Sequence, residues 1–472
     1  MMKNKFIVCS CPSFKKARIK HICCDKNQKN VLKNDWIVNF AKNKNVFIKT
    51  YGCQNNYRDS EIVTSIFIDS GFNIVNNEKD ADIIFINTCA VRKRAETKVF
   101  GYVSSLKNKI IILSGCMVME EKIIESIIEK NIQVNIIISM NNIYKIFSLL
   151  EKYCKTNKKI IDVNSNFCKI NEKLPNFFRN SSFKAFVNIN NGCNKLCTYC
   201  IVPYTRAPEI ERNFEDIVNE CKELSFLNYQ EVVLLGQNVC NYGLKQKTSF
   251  ANLLDAIASL NIPRISFLAC HPCDFSLDII KVMKKHKNIL PYIHLPLQSG
   301  DDNILRLMGR KYDSKYYLNL INKIKKNIPN VALSTDIIVG FPTETEKEFS
   351  NTLKIIKKIK FDNIFMFIYS KREGTPAAKI IDNISEDEKK QRLERLDNLY
   401  TNIIEEKNKS YLGKIYDVLV DSVSKKNKKL LEGRLITNRI VHFVGSEKMI
   451  GKIIKIKIIE HHPFFLIGEV VK

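Results

Sequence analysis

Three closely spaced cysteines are the residues of this sequence best suited to bind a reactive cofactor. Cys193, Cys197 and Cys200 form a CxxxCxxC run directly after an apolar, strand-like segment. Three neighbouring thiolates can bind one inorganic cluster, whereas a structural zinc ion normally takes four ligands. No fourth Cys or His stands close by in sequence. The run therefore predicts an iron–sulfur cluster with one iron open to a small molecule; the alternative is a zinc site completed by a distant residue.

Three further cysteines are dispersed along the chain but share a position relative to predicted strands. Cys53, Cys89 and Cys116 each follow the end of a β-rich run. Because the carboxyl ends of parallel strands open onto one crevice, we expect these cysteines to converge. Gly52 and Gly115 precede two of them and would let the backbone bend tightly beside a cofactor. The pattern favours a second metal or cluster site over three unrelated core cysteines.

The segments around this dispersed set predict an open parallel sheet. Continuous apolar runs alternate with helical stretches, which is typical of a parallel sheet covered by helices on both faces. The predicted strands are Val46–Tyr51, Ile83–Asn87, Ile110–Ser114 and Val134–Ile138, and a helix is predicted over Asp59–Ile68. We assign them to an N-terminal α/β domain over residues 46–155, which a polar linker follows.

The CxxxCxxC run stands near the start of a longer series in which strands again alternate with helices. The predicted strands are Lys184–Ile189, Glu231–Leu235, Arg264–Leu268, Tyr292–Leu295, Ala332–Val339 and Asn363–Tyr369. Six such units predict a partial (β/α)6 barrel over residues 180–409, with its chemistry at the C-terminal ends of the strands. A long charged helix over Glu386–Lys409 leads out of it.

From Tyr411 onward the pattern changes to short β-rich runs without helices between them. These runs are Ile415–Val420, Glu432–Leu435, Ile440–Val444, Ile453–Ile458 and Leu466–Val471. They predict a small β-barrel over residues 411–472. Twelve Lys/Arg against six Asp/Glu in this segment, with Phe443, Phe464 and Phe465 as stacking surfaces, favour an RNA-binding barrel. The alternative is an ordinary solvated β-domain.

The chain as a whole is strongly basic. Its 472 residues include 75 Lys+Arg and 49 Asp+Glu, a net charge of +26. This balance favours a polyanion such as RNA as partner, although a composition heavy in Lys, Asn and Ile accounts for part of the excess. No apolar run approaches the roughly 18 residues of a membrane helix. Residues 1–45 carry eleven Lys/Arg against two Asp/Glu and are expected to form a disordered basic leader, whose Cys9, Cys11, Cys23 and Cys24 receive no role.

The cysteine sets and the motifs around them resemble the radical S-adenosylmethionine (SAM) methylthiotransferase family. The resemblance runs from about Phe47 to the C-terminus and is carried by a series of ordered motifs. They are Tyr51-Gly52-Cys53-Gln54, Asn87-Thr88-Cys89, Gly115-Cys116-Met117, the Cys193/Cys197/Cys200 triad, Val202-Pro203-Tyr204-Thr205-Arg206, Leu235-Gly236-Gln237-Asn238-Val239, His294-Leu295-Pro296-Leu297-Gln298-Ser299-Gly300, Asp336-Ile337-Ile338-Val339-Gly340-Phe341-Pro342-Thr343-Glu344-Thr345 and Tyr369-Ser370-Lys371-Arg372-Glu373-Gly374-Thr375-Pro376-Ala377. Within the family, the sequence is most similar to the branch that modifies a prenylated adenosine beside the anticodon of tRNA.

The resemblance implies two 4Fe–4S clusters and two SAM molecules per turnover. Cys193, Cys197 and Cys200 would hold the cluster that coordinates SAM, and Cys53, Cys89 and Cys116 an auxiliary cluster that presents sulfur. No catalytic side chain is assigned beyond the clusters. The reaction implied is the addition of a methylthio group to the adenine of N6-dimethylallyladenosine, with a TRAM-like C-terminal domain that binds RNA.

Four polar residues at or near the ends of predicted barrel strands are candidate SAM contacts, with a structural hydrogen bond as the alternative for each. They are Gln237, Asn238, Gln298 and Asp336. Arg206 and Arg310 are interpreted as solvated arginines, with RNA phosphate as the alternative partner. We expect a cytoplasmic monomer that acts on tRNA carrying a prenylated adenosine, does not bind membranes, and uses an electron donor and a sulfur source that the sequence does not identify.

Two other functions stay open at this point. The first is methylthiolation of a ribosomal protein aspartate or of threonylcarbamoyl-adenosine in tRNA, the substrates of sister branches. The second, from a different class, is a non-catalytic iron–sulfur or zinc protein that binds RNA. Only a catalyst would consume SAM in the presence of a reductant.

Overall fold

A computed structural model of the chain describes residues 6–10, 35–90, 93–163, 177–206 and 208–471. The chain divides into two compact units. The first comprises Met1–Asn180, Gly192–Asn194 and Ile201–Glu209; the second comprises Ser181–Asn191, Lys195–Cys200 and Ile210–Lys472. No helix among the described residues is long and apolar enough to cross a membrane.

The first unit is built on a seven-stranded, fully parallel sheet. Its strands are β1 (Phe6–Ser10), β2 (Asn45–Thr50), β3 (Asn73–Ile74), β4 (Ile83–Thr88), β5 (Ile110–Gly115), β6 (Ile136–Ile138) and β7 (Lys159–Asp162), in the order β1-β7-β6-β5-β4-β2-β3. Its helices are α1 (Asp35–Ala41), α2 (Gln54–Asp69), α3 (Lys93–Ser105), α4 (Glu121–Glu129), α5 (Ile146–Thr156) and the single turn α6 (Val202–Thr205), with 3₁₀ turns at Glu78–Asp80, Met117–Met119 and Met140–Lys145.

The central strands of this sheet are apolar throughout because both faces are covered. Along β4, Ile83 and Phe85 belong to one hydrophobic cluster, and Ile84 and Ile86 belong to a second cluster on the opposite face. All six residues of β4 are buried. The predicted parallel α/β architecture of this region is confirmed.

The interpretation of residues 1–45 as a disordered leader is wrong for two segments. Phe6–Ser10 forms β1, which pairs in parallel with β7 at the sheet edge, and Asp35–Ala41 forms α1, whose Ile37 and Ala41 are buried. Backbone pairing to an edge strand holds the first segment, and a short buried stripe holds the second. The remaining leader residues before 35, among them Cys11, Cys23 and Cys24, lie outside the described residues.

The second unit contains the predicted six-stranded partial barrel and a small closed barrel. Its strands are β8 (Lys184–Asn188), β9 (Asn190–Asn191), β10 (Ile210–Glu211), β11 (Glu231–Leu235), β12 (Arg264–Phe267), β13 (Tyr292–His294), β14 (Ala332–Val339), β15 (Asn363–Ile368), β16 (Ile415–Val423), β17 (Leu431–Arg434), β18 (Ile440–Phe443), β19 (Ile453–His461) and β20 (Leu466–Val470). Its helices are α7 (Phe214–Phe226), α8 (Phe250–Ala258), α9 (Leu277–Lys285), α10 (Asp302–Leu307), α11 (Ser314–Asn327), α12 (Glu346–Ile359) and α13 (Glu386–Lys409), with 3₁₀ turns at Val239–Asn241, Pro272–Asp274, Pro376–Lys379 and Glu447–Met449.

The partial barrel consists of two parallel three-stranded sheets, β12-β11-β8 and β13-β14-β15. A parallel bridge between Ile265 and Ile289 connects β12 to the segment that leads into β13. One continuous hydrophobic cluster lies between these strands and the surrounding helices. The fold class predicted from the sequence is confirmed for this region, including the length of α13.

The small barrel is closed in the strand order β16-β17-β18-β20-β19. It packs against the N-terminal ends of the partial-barrel strands. Arg264, the first residue of β12, donates hydrogen bonds to Arg434 O at 2.8 Å and to Asp417 O at 2.9 Å. Arg439 of the small barrel donates to Asp362 O, immediately before β15, at 3.0 Å.

One of the three aromatic residues predicted as stacking surfaces lies in the core of the small barrel. Phe443 is fully buried, because it points into the barrel from β18, so this part of the prediction is wrong. Phe464 is 58 % exposed, and the Phe465 ring stacks on the His462 ring with centroids 4.4 Å apart.

Candidate cluster sites

Cys53, Cys89 and Cys116 lie at one edge of the first unit's sheet. Cys89 and Cys116 directly follow β4 and β5, and Cys53 stands shortly after β2 at the N-terminus of α2. The backbone N–H of Cys116 donates to Thr88 O at 2.9 Å, which continues the β4–β5 ladder to the cysteines. Three cysteines that are far apart in sequence thus share the carboxyl end of one sheet, as the strand pattern predicts.

Two glycines allow the backbone to approach closely at this edge. Gly52 has a φ of +132° and Gly115 a φ of +98°, in the region that favours glycine. A Cβ added to Gly52 would lie 2.8 Å from Cys89 Cβ, and one added to Gly115 would collide with the Thr88 backbone. The space beside Cys89 and Cys116 therefore depends on the absence of these side chains.

A buried amide network joins the start of α2 to the end of β4. Asn56, in the first turn of α2, is fully buried and donates to Asn87 Oδ1 and to Thr88 O, each at 3.1 Å. Asn87 donates back to Asn56 O at 2.8 Å, and the Cys53 backbone N–H donates to Asn56 Oδ1 at 3.2 Å. The network sets the position of Cys53 relative to the residues that precede Cys89.

Arg206 reaches this edge from the segment Ile201–Glu209. It is only 9 % exposed; its Nε donates to Cys116 Sγ at 3.2 Å and its Nη2 to Asp59 Oδ2 at 2.6 Å. Burial raises the pKa of the Cys116 thiol, and the adjacent Arg206 guanidinium opposes that rise. The interpretation of Arg206 as a solvated arginine is wrong, because its partners are a buried carboxylate and a cysteine sulfur.

The CxxxCxxC run is divided between the two units. Cys193 belongs to Gly192–Asn194 of the first unit, and Cys197 and Cys200 belong to Lys195–Cys200 of the second. All three side chains are partly exposed. In the second unit, the Cys200 backbone N–H donates to Cys197 O at 3.0 Å, and Thr198 N donates to Met308 O at the same distance. The Cys197–Cys200 turn is thus anchored to the end of α10.

Arg310 contacts the sulfur of Cys197. Its Nη1 donates to Cys197 Sγ at 3.3 Å, its Nη2 to Pro296 O at 3.1 Å, and its Nε to the Tyr312 hydroxyl at 3.0 Å. Burial alone would lower the pKa of Arg310, but the Tyr199, Tyr312 and Cys197 groups raise it well above its ordinary value, so the guanidinium stays charged. Like Arg206 it is only 9 % exposed, and its interpretation as solvated is also wrong.

Two of the predicted SAM contacts carry buried amide atoms with no hydrogen-bond partner among the described residues. These atoms are Gln237 Nε2, just after β11, and Gln298 Oε1, between β13 and α10. Gln298 also has a φ of +71°, and its backbone N–H and C=O pair with Asp336 O and Ile338 N at 2.9 and 3.0 Å. Buried polar atoms normally have partners, so a polar ligand would satisfy both side chains.

The other two predicted contacts make hydrogen bonds or ion pairs within the protein. Asn238 donates from Nδ2 to Asp274 Oδ2 at 2.7 Å and accepts from His271 N at 3.2 Å. Asp336 Oδ2 lies 3.4 Å from His294 Nε2. The alternative of a structural role is therefore strongest for Asn238, since both ends of its amide are engaged.

Asn56, Asp59 and Tyr312 contribute to these sites although no sequence motif pointed to them, and both arginines are buried where solvated side chains were expected. Asn56 stands three residues after Cys53, at a position where a polar side chain can cap a helix start, and this local signal was available. Arg206 and Cys116 are 90 positions apart, and Arg310 and Cys197 are 113 apart. No local pattern connects residues at such separations.

Three regions of the chain match known families, in an order that defines the class of protein. Residues 45–139 match the uncharacterized protein family UPF0004, residues 187–356 match the Radical SAM superfamily, and residues 409–471 match the TRAM domain. The chain is a radical SAM protein with an N-terminal UPF0004 domain and a C-terminal TRAM domain.

Curated relatives narrow this class. The tRNA-2-methylthio-N(6)-dimethylallyladenosine synthase of Bacillus cytotoxicus is 43 % identical over 444 residues, covering 92 % of this chain and 87 % of the relative. The synthase of the same name from Thermoanaerobacter sp. (strain X514) is 42 % identical over 457 residues, covering 95 % and 97 %. The chain belongs to the tRNA-2-methylthio-N6-dimethylallyladenosine synthase family.

Solved structures share the fold at low sequence identity. The radical S-adenosylmethionine methyltransferase TsrM from Kitasatospora setae, with tryptophan substrate and the SAM analog aza-SAM bound, aligns with a TM-score of 0.52 at 11 % identity. The alignment covers 71 % of this chain and 75 % of that chain. It supports the radical SAM architecture of the fold.

The radical SAM family implies a 4Fe–4S cluster and SAM, and the residues present fit both. Within the described part of the chain, no three His, Cys, Asp or Glu side chains converge closely enough to hold a single metal ion. Ligands of an iron–sulfur cluster bind separate iron atoms, so they need not converge on one point. Cys197 faces a charged N–H donor, and the unpartnered Gln237 and Gln298 amides are suited to a polar ligand such as SAM.

Proposed function

We propose that this chain adds a methylthio group to the adenine of N6-dimethylallyladenosine beside the anticodon of tRNA. The observation that carries the proposal is the pair of cysteine triads in a chain that is over 40 % identical to synthases of this name along more than nine-tenths of its length. The proposal includes two 4Fe–4S clusters, one held by Cys193, Cys197 and Cys200 and an auxiliary one held by Cys53, Cys89 and Cys116.

The two clusters have different tasks in this proposal. When bound, the first cluster and SAM supply the one-electron chemistry that activates an aromatic C–H bond, and the second supplies sulfur. Three thiolates in each triad leave one iron without a protein ligand, which both tasks require. The glycines next to Cys53 and Cys116 keep side chains away from the auxiliary site.

The protein's own residues bind and orient the reacting groups. We assign Gln237 and Gln298 to SAM through their buried, unpartnered amide atoms, with Asn238 and Asp336 as further candidate contacts. Asn238 would act mainly by fixing the turn after β11, since it already bonds Asp274 and His271. Holding the substrates away from water protects the reactive species from side reactions.

The proposed partner is tRNA, which the basic TRAM domain would bind. Lys455 and Lys457 are exposed on alternate positions of β19, while Ile456 and Ile458 point into the barrel. Lysines arranged in this way neutralise backbone phosphates without reading sequence. The proposal places the enzyme in the cytoplasm as a monomer that does not bind membranes and that receives electrons and sulfur from donors still to be identified.

The cluster assignment is tested by metal analysis of anaerobically reconstituted protein. We expect the Cys53→Ala/Cys89→Ala/Cys116→Ala variant and the Cys193→Ala/Cys197→Ala/Cys200→Ala variant each to lose about half of the iron and sulfide, because each triad holds one cluster of the same type. Cys154→Ala, at an exposed cysteine, is the matched control and should retain all of it. Full iron in either triple variant would contradict the assignment.

The division of tasks is tested by separating SAM cleavage from sulfur insertion. Cys193→Ala should abolish reductive SAM cleavage, whereas Cys89→Ala should leave cleavage detectable and end methylthiolation of the RNA. Both reactions are followed in one assay, by chromatography of the cleaved nucleoside and mass spectrometry of RNA nucleosides. Equal loss of both reactions in Cys89→Ala would count against separate roles.

The substrate is tested in cells by comparing tRNA nucleosides from a deletion strain and its parent. Loss of methylthio-prenyladenosine with accumulation of the prenyladenosine is expected. If the methylthio nucleoside persists while a ribosomal protein changes in mass, the substrate is that ribosomal protein and the proposed tRNA substrate is wrong.

A further inference from the structure

In each cysteine triad, a buried arginine of the described part of the chain directs an N–H at a cysteine sulfur. Arg206 Nε lies 3.2 Å from Cys116 Sγ, and Arg310 Nη1 lies 3.3 Å from Cys197 Sγ. Both arginines are 9 % exposed. The two contacts are alike in geometry although they occur in different units of the molecule.

The charge around the two arginines is different. Arg206 forms an ion pair with Asp59, whose Oδ2 lies 2.6 Å from Nη2, and Asp59 is itself only 5 % exposed. The remaining partners of Arg310 are neutral, namely the Tyr312 hydroxyl and the Pro296 carbonyl oxygen. Among the residues that the structure describes, the hydrogen-bond partners of Arg310 and the groups that raise its pKa include no carboxylate. The Arg206–Asp59 pair thus carries no net charge, whereas Arg310 presents a full positive charge to Cys197.

This difference acts on any iron–sulfur cluster that the cysteines bind. Reduction adds one electron to the cluster and makes it more negative, so a nearby positive charge and N–H···S hydrogen bonds favour the reduced form. Burial strengthens the effect because charges interact more strongly where water is excluded. A neutral ion pair keeps the hydrogen bond to sulfur but contributes little electrostatic stabilisation to the reduced cluster.

We propose that Arg310 raises the reduction potential of the SAM-binding cluster through Cys197, whereas the Arg206–Asp59 pair holds Cys116 without raising the potential of the auxiliary cluster. A low-potential one-electron reductant then reduces the SAM-binding cluster first: the reductant loses one electron, that cluster gains it, and no bond or proton changes. Both arginines act through a cysteine and are positioning residues. The inference rests on the proposed function, because it assumes that both triads hold clusters.

The test measures the midpoint potential of each cluster separately. In full-length protein with the Cys53→Ala/Cys89→Ala/Cys116→Ala substitutions only the SAM-binding cluster remains, and in the Cys193→Ala/Cys197→Ala/Cys200→Ala protein only the auxiliary one. Each is reconstituted anaerobically, assayed for iron, and titrated with dithionite and redox mediators while the reduced cluster is followed by electron paramagnetic resonance.

Three variants separate the positive charge from the hydrogen bond. Arg310→Gln keeps an N–H donor but removes the charge, and should shift the SAM-binding cluster to a more negative midpoint. Arg310→Lys keeps the charge and should stay close to the parent. Asp59→Asn exposes the charge of Arg206 to Cys116 and should shift the auxiliary cluster to a more positive midpoint, an effect that merely loosened packing would not produce.

The outcomes distinguish failure of this inference from failure of the proposed function. Unchanged midpoints in Arg310→Gln and Asp59→Asn, at full iron content, would overturn the inference and leave the two-cluster proposal intact. If Arg310→Gln fails to bind iron, the inference is decided by the direction in which Asp59→Asn shifts the midpoint potential of the auxiliary cluster. A shift to a more negative potential overturns the inference. A Cys53/Cys89/Cys116 variant that keeps all of its iron would instead overturn the proposed function.

Discussion

At the scale of single residues, the edge that bears Cys53, Cys89 and Cys116 depends on positions that cannot tolerate change. Asn56 satisfies Asn87 and Thr88 inside a buried network, and leaving such a group unpaired costs about 1–3 kcal/mol. Gly115 is the second such position, because its conformation and its surroundings both exclude a Cβ. The cysteines are thus held by neighbours that have no chemistry of their own.

Gly115→Ala is expected to destabilise this edge and to remove the auxiliary cluster. A Cβ there would collide with the Thr88 backbone at a φ of +98°, and the strain exceeds the roughly 1 kcal/mol that such substitutions gain elsewhere. Iron content should fall by about half, measured after anaerobic reconstitution, while SAM cleavage persists.

Gly101→Ala is the matched control for this substitution. Gly101 lies in α3 and an added Cβ would meet nothing within 4 Å, so alanine should leave the iron content unchanged and favour the helix slightly. If both variants lost iron equally, the special role of Gly115 would be refuted.

At the scale of elements, the loop after β14 is tied to α13 by a buried carboxylate. Glu344 accepts hydrogen bonds from Gly340 N at 2.8 Å and from Arg392 Nη1 at 2.9 Å. Burial raises the pKa of Glu344 to about 7, although its bonds to Gly340 and Arg392 oppose the rise. The long helix thereby fixes the loop at the C-terminal end of β14, next to the predicted SAM site.

The stability of the protein should depend on pH through Glu344. Between its ordinary pKa of 4.5 and about 7, the native state keeps a proton that the unfolded chain has lost, so the free energy of unfolding decreases as pH rises. The shift corresponds to about 3 kcal/mol at most. Glu344→Gln lacks this dependence, and its melting temperature should rise relative to the wild type between about pH 6 and pH 8, about one unit either side of the Glu344 pKa.

Glu346→Gln is the control for this comparison. Glu346 is exposed, and Arg395 holds its pKa below the ordinary value, so it does not titrate in the same window and its loss should cost under about 1 kcal/mol. A constant difference in melting temperature between wild type and Glu344→Gln across this pH range would disprove the role of Glu344.

The elements were predictable from sequence wherever the local pattern is strong. Ile83–Ile86 is an uninterrupted apolar run, and it forms the buried centre of β4 with helices on both faces. β1 was not predictable, because Phe6–Ser10 is short, sits in a basic segment, and pairs with β7 from a distant part of the chain. The same reason applies to Arg206 and Arg310, whose cysteine partners are defined only by the folded chain.

At the scale of the whole molecule, the TRAM domain carries a net charge of +6 in a chain whose total net charge is +26. The TRAM domain has twice as many Lys/Arg as Asp/Glu, and its closed barrel leaves long lysine side chains outside while aliphatic residues fill the interior. Hydrogen bonds of Arg264 and Arg439 attach it to the partial-barrel strands within the second unit. Because the exposed lysines lie on the small barrel and the predicted SAM contacts lie on the partial barrel, RNA binding and SAM cleavage should be separable by mutation.

Lys455→Glu/Lys457→Glu is expected to weaken tRNA binding while leaving SAM cleavage without RNA unchanged. Loss of two phosphate contacts should reduce the magnitude of the negative slope of log affinity against log salt by about 1.4–1.8, since each contact contributes about 0.7–0.9. Filter binding at several salt concentrations measures the slope. Lys425→Glu/Lys426→Glu, at exposed positions next to the β16–β17 turn, is the charge-matched comparison; an equal decrease there would show that net charge alone matters.

The partial-barrel strands also separate the small barrel from the predicted SAM contacts, so the proposed function requires one RNA to reach both. The small barrel docks at the N-terminal ends, at Arg264 and Asp362, while Gln237 lies beyond the C-terminal end of β11. The five residues of β11, whose first residue pairs with Arg264, span roughly 16 Å at about 3.3 Å per residue. On the proposed function, an RNA fragment that carries the target base but is shorter than this span should therefore lose its contact with the small barrel, whatever its sequence.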